Sequence, residues 1–119
     1  MPWFEAERRV VRAGDLFMRA TIEEMSAIAR EKGAVPVFVA LDLVGPPPKT
    51  VPPALEYART NGMVVFDLLD VWQGRDFKAL RVGSWDTHPN GEGNRVIAER
   101  LALMIQEHAT ELGIGAKPH

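Results

Sequence analysis

Ser84-Trp85-Asp86-Thr87-His88-Pro89-Asn90-Gly91-Glu92-Gly93 is the stretch of this chain whose residue types can do chemistry. Asp86 stands two residues before His88. A carboxylate so placed accepts the imidazole Nδ1 proton, fixes the tautomer and leaves Nε2 free as a base. Pro89 restricts His88 to extended backbone, and Asn90 is suited to cap a helix that begins just beyond it. The spacing therefore predicts a histidine held rigidly on a loop at a helix N-terminus. A plainer reading is a loop ion pair that caps the helix and performs no reaction.

The partners of such a pair are scarce. The chain has two serines, Ser26 and Ser84. Ser26 lies within a predicted helix as a surface or core-edge residue, which leaves Ser84 as the only serine near His88. No oxyanion donors are recognisable beside it, and their loss costs roughly two to three orders of magnitude in rate. A metal site would draw on Asp42, Asp67 and Asp70 at strand ends, without a His or Cys cluster to join them. Trp72 and Trp85 flank the stretch, either to line an acyl or sugar pocket or simply to pack. His108 is expected on a helix face and His119 in a mobile terminus. Trp3 with Phe4 reads as an N-terminal anchor.

The elements that must position this stretch follow from hydrophobic period. Met18, Ile22, Met25 and Ala29 recur at helical spacing, predicting a helix over 14–32 that Gly33 stops. Val35 to Leu41 is a continuous apolar run, the pattern of a parallel strand covered on both faces, with Pro36 at its start. Val44 to Pro53 holds five prolines and reads as an exposed, stiff loop that serves as a connector, a lid or a partner-binding segment. A short helix over 53–60 exits through Asn61-Gly62, and Met63 to Leu69 forms a second apolar strand. Residues 73–78 are polar and loop-like, 79–82 are a short strand or an extended approach, and a last helix covers 91–112. Residues 114–119 are expected to fray. The order helix, strand, helix, strand is the repeating unit of a parallel α/β sheet with two or three strands flanked by helices. Asp42 falls at the carboxyl end of the first strand, the side on which open α/β sheets bind ligands.

Composition sets the outer bounds. The chain has 119 residues, 46% hydrophobic and 25% charged, which fits one globular domain spanning 1–119. Its net charge of −2 supplies no basic excess for a phosphate backbone, so nucleic acid is set aside as a partner. Having no cysteine, it forms no disulfide and carries no thiolate nucleophile. No apolar run reaches membrane-spanning length, and residues 1–10 lack the apolar core of a signal peptide, so neither a membrane nor a compartment is indicated.

Asp86-Thr87-His88-Pro89-Asn90, followed by Gly93, Val96-Ile97-Ala98 and Leu101, resembles the C-terminal block of SGNH (GDSL-type) hydrolases, a family of serine esterases and acyl hydrolases. The resemblance is clearest over 34–112. It implies a flavodoxin-like three-layer α/β/α sheet, His88 as the general base, Asp86 as its orienting carboxylate, and no cofactor or metal. Many members place the acid three residues before the histidine, where this chain has Trp85. The family's Gly-Asp-Ser nucleophile block and its oxyanion Gly and Asn are absent; Gly14-Asp15-Leu16 puts a leucine where the serine belongs. The resemblance thus implies half of an active site, acting on a small-molecule or glycan ester once completed. Its partner would be the missing N-terminal half, or a second copy associating through an exposed sheet edge. The alternative is a non-catalytic binding or assembly module on the same fold.

Overall fold

A computed structural model describes residues 2–115. The chain is mixed α/β: α1 (Trp3–Glu31), β1 (Val37–Ala40), α2 (Pro53–Thr60), β2 (Val64–Asp67), α3 (Phe77–Leu80), β3 (Arg81–Gly83), β4 (Asp86–Pro89) and α4 (Gly91–Glu107). β1 and β2 pair in parallel, in register from Val37 with Val64 to Ala40 with Asp67. β3 and β4 form a separate antiparallel hairpin.

Alternation along the parallel pair decides what each strand buries. On β2, Val64 and Phe66 pack with Val96, Ile97 and Leu101 of α4, while Val65 turns to the opposite side, against the cluster of Ile22, Ala58 and Met63. β2 is therefore covered on both faces, as its apolar run predicts. β1 is covered on one. Phe38 and Ala40 pack with α1 and α2 residues, whereas Val37 and Val39 on the other face remain 38% and 44% exposed. Its outer edge has no partner strand among the described residues.

The crossover between the strands is the proline segment followed by α2. Pro53 opens α2, and Gly62, at φ 79°, turns the chain into β2 after Asn61 ends it. The start of the segment is not exposed as expected: Val44 and Gly45 are buried, with Val44 in the main core, while 46–51 and Pro53 lie on the surface and Pro52 is half-buried. Pro47 to Val51 roof a cavity of about 430 Å³ floored by Asp67, Leu69, Arg100 and Met104.

α1 begins at Trp3, eleven residues before the expected start at Gly14, and runs through that glycine. Ala6, Glu7, Arg8 and Arg9 are strong helix formers, and the Glu5–Arg9 and Asp15–Arg19 pairs join residues one turn apart. Together they outweigh the roughly 1 kcal/mol cost of an interior glycine. Ser26 is fully buried rather than at the surface or core edge, because its Oγ donates to the Asn61 carbonyl at 2.7 Å and thereby pins α1 to the end of α2. Arg30 donates to the same carbonyl.

Two expectations near the site are corrected. Residues 86–89, expected as a loop, are the second strand of a hairpin. Residues 79–82 divide into the last turn of α3 and the start of β3. α4 ends at Glu107 instead of 112, and the chain continues in turns to Gly113, whose φ is 69°. Residues 116–119, including His119, lie outside the described residues.

Gly93 sits where the hairpin and α4 come closest: a Cβ there would lie 2.8 Å from the Leu80 carbonyl oxygen and 2.8 Å from the Pro89 Cβ. Gly93→Ala is expected to destabilise the fold by about 1–3 kcal/mol, since backbone and a proline ring must shift to admit a methyl. Urea unfolding followed by tryptophan fluorescence checks this, and an unchanged midpoint would contradict the close approach.

Candidate active site

The hairpin that carries Asp86 and His88 is fixed from three sides. Asn90 caps α4 by accepting from the Gly93 N–H at 2.9 Å, and its side-chain amide donates to the carbonyls of Ala79 and Arg81 at 2.9 and 3.0 Å. One side chain thus joins α3, β3 and α4. At the other end, the Val44 N–H donates to the Thr87 carbonyl at 3.0 Å, and the Arg81 guanidinium donates from Nε and Nη2 to the Val44 carbonyl at 3.2 and 3.0 Å. Trp72 Nε1 donates to the Asp42 carbonyl at 3.1 Å, fixing the same segment. These bonds hold the hairpin against the chain that leaves β1, at the carboxyl end of the parallel pair.

On this frame Asp86 Oδ1 lies 2.5 Å from His88 Nδ1 and also accepts the His88 backbone N–H at 3.0 Å. The single oxygen fixes both the backbone and the ring of the histidine. With Nδ1–H directed at the carboxylate, Nε2 is the nitrogen left to take a proton. No protein group is bonded to Nε2 among the described residues. The His88 side chain is 68% exposed and that of Asp86 36%.

Ser84 is exposed on the same hairpin, and no hydrogen bond links it to His88. Trp85 is 85% exposed and lies over Gly83, where a Cβ would meet the indole at 2.9 Å. Trp72 does not line the site; it is a fully buried core residue. Asp67 and Asp70 line the cavity under the proline segment together with Arg100, which lies 3.7 Å from Asp70, while Asp42 is not among its lining residues. Among the described residues no group of three or more His, Asp or Glu side chains is placed to hold a metal ion. His108, which caps the C-terminus of α4, lies against Phe66 and reaches Glu111 at 2.9 Å. The chain matches no family model, no curated protein and no solved structure.

Arg81 was not singled out from the sequence, yet it ties the hairpin to Val44. It also lines, with Lys78, Val82, Gly83 and Ser84, a cavity of about 430 Å³ on the hairpin's flank. Its nearest sequence cue is Phe77, four residues earlier, whose ring the guanidinium overlies at 5.9 Å. The other partner is a carbonyl 37 residues upstream, which periodicity does not reveal.

The Asp86 carboxyl is held below the ordinary carboxylate range. The backbone N–H of His88 is the main cause, followed by the hydrogen bond from its ring; desolvation opposes them, and the ring's charge adds the smallest contribution. A carboxyl whose pKa is lower folded than unfolded binds fewer protons in the native state. Its stabilising contribution is therefore complete above the ordinary carboxylate range and lost as pH falls through the lowered pKa. We expect the ¹³C carboxyl resonance of Asp86 to titrate below those of the chain's exposed aspartates, and the His88 amide resonance to shift with the same midpoint. An Asp86 titration within the ordinary range would contradict the double hydrogen bond.

Proposed function

We propose that this chain is the C-terminal half of a serine ester hydrolase of the SGNH type, in which His88 is the general base and Asp86 orients it. The observation that carries the reading is the bond set at Asp86 Oδ1. One carboxylate oxygen fixes the histidine's backbone and its Nδ1, and so presents Nε2 at the carboxyl end of a parallel strand pair. That is the side on which open parallel sheets assemble ligand sites. In the completed site Nε2 takes the proton of a serine hydroxyl as its oxygen attacks the ester carbonyl, then returns it to the leaving alcohol. Water repeats the sequence on the acyl-serine. The substrate is a small-molecule or glycan ester, no cofactor or metal takes part, and neither nucleic acid nor a membrane is a partner. Among the described residues no helix is long and apolar enough to cross a membrane.

The nucleophile and the oxyanion donors come from another polypeptide segment. Support for this is the state of β1, whose sequence suits a strand covered on both faces but whose Val37 and Val39 are open on one. A further strand at that edge, with a helix over Val37 and Val39, would extend the pair toward a flavodoxin-like three-layer sheet. The same open edge favours the second reading, a non-catalytic assembly module that uses it for a partner.

The purified chain alone is expected to hydrolyse p-nitrophenyl acetate no faster than His88→Ala. Fusing the nucleophile-bearing N-terminal half of a GDSL-type esterase ahead of Met1 is expected to yield turnover that His88→Ala lowers by about 10²–10⁴-fold, as loss of a general base does. Asp86→Asn should lower it within the same range. Turnover by the fusion that is indifferent to His88 would sink the assignment. Activity of the unfused chain abolished by Ser84→Ala would relocate the nucleophile to this chain.

A further inference from the structure

The first half of α1 is a helix without a neighbour. Every tie from α1 to the other elements comes from its second half: Met18, Ile22 and Ser26 in or beside the core, Arg19 over the Tyr57 ring, and Glu23 and Arg30 in hydrogen bonds. Among the described residues, residues 3–17 enter no core cluster, hydrogen bond or ion pair outside their own helix. The chain is correspondingly extended. Its radius of gyration is 17.5 Å, where a compact domain of this length has about 13–14 Å.

That projecting half is not polar. Trp3, Val10, Gly14, Phe17, Thr21 and Ile28 step by seven, four, three, four and seven residues, which places them on one stripe along all 29 residues of the helix, about 43 Å. The stripe lies beside the arc of Met18, Ile22 and Ser26 that faces the body. Trp3 is 82% exposed, Val10 71%, Phe17 75% and Ile28 44%. An isolated helical arm of this length is marginal in water, so the stripe calls for a covering surface.

We infer that the covering surface is the same stripe of a second copy, with the two α1 helices packed antiparallel about a two-fold axis between Asp15 and Leu16. In that register Trp3 of one copy faces Ile28 of the other, Val10 faces Thr21, and Phe17 faces Gly14. Each large side chain meets a smaller one, and the largest central ring meets the residue with no side chain. Gly14 has open space around its Cβ position, with nothing within 4 Å. Two helices therefore approach closely at the centre and fill that space with Phe17. The area is sufficient. Covering Trp3 and Phe17 on both copies removes roughly 600–1,000 Å² from water. Val10 and Ile28 on the stripe, with Met25 beside it, bring the total to the lower end of the roughly 1,200–2,000 Å² of a stable interface. None of the stripe residues belongs to the hairpin that holds His88, but Phe17 and Thr21 line, with Val37 and Val39, a groove of about 430 Å³ beside β1, so this dimer and the missing layer of the ester-hydrolase reading would meet neighbouring parts of one surface.

Sedimentation equilibrium at about 100 µM is expected to give twice the monomer mass. Phe17→Glu should weaken the dimer by about 100-fold or more, as loss of a central aromatic anchor does. Leu16→Glu, the same change at a residue 61% exposed on the other side of the helix, should leave it intact. Circular dichroism of both variants keeps unfolding distinct from dissociation. The absence of cysteine makes the register testable. Mixed Val10→Cys and Thr21→Cys copies should oxidise to a heterodisulfide far faster than either variant oxidises with itself. A monomeric parent chain overturns the proposal. So does a dimer that survives Phe17→Glu, and so does preferential Val10→Cys self-crosslinking, which would mean parallel helices.

Discussion

The parallel pairing of β1 with β2 is the constraint on which the rest of this structure depends. A parallel pair cannot be closed by a tight turn. It needs a crossover on one face and, for a strand with no polar side, apolar cover on both. Here the crossover is the proline segment and α2, and it delivers one covered face to each strand. α4 supplies the second face of β2. Among the described residues nothing covers the second face of β1, so the apolar valines at 37 and 39 stay in contact with water. The same pairing brings the end of β1 beside the hairpin that bears His88. The incomplete layer and the candidate site therefore meet at one strand.

The hairpin's position rests on unusually economical bonding. A three-residue strand facing a four-residue strand has too few ladder bonds to be stable alone. Asn90 compensates by serving as helix cap and strand clamp at once, with its oxygen on the helix N-terminus and its amide on two carbonyls across the hairpin. Arg81 does the corresponding work at the far side, where its guanidinium and the Thr87 carbonyl together satisfy both backbone groups of buried Val44. A buried backbone group left without a partner costs about 1–3 kcal/mol, so Val44 holds the hairpin as firmly as the hairpin holds Val44.

Much of this was legible in the sequence, for identifiable reasons. Pro53 to Thr60 forms a helix as expected because proline at the start and Asn-Gly at the end leave little freedom. Both apolar runs are strands, each trimmed by one or two residues at either end. The Asp86–His88 contact was also legible, because a two-residue spacing in extended backbone puts both side chains on one face. What was hidden depends on distance along the chain. Ser26 carries no sign that its hydroxyl will reach a carbonyl 35 residues away, and Arg81 none that it will clamp Val44. The early start of α1 was hidden for another reason. Gly14 reads as a boundary, yet the residues before it favour helix strongly enough to carry the chain through.

Exposure links the site to the fold. An ion pair as open to water as Asp86 and His88 contributes little to stability, because solvent screens both groups. Such a pair persists here because the backbone N–H of His88 also holds the Asp86 carboxylate in place, leaving the imidazole ring as the remaining side chain to be ordered. The geometry is thus set before any wall is built around it. In the proposed enzyme the wall is the missing layer on β1, and adding it would remove water from the imidazole without requiring the ring to move. Desolvation strengthens the carboxylate's hold on the ring in proportion to the fall in local dielectric. In that reading His88 is a base oriented in advance of its enclosure. In the proposed enzyme a single further layer would cover both the open face of β1 and the exposed histidine.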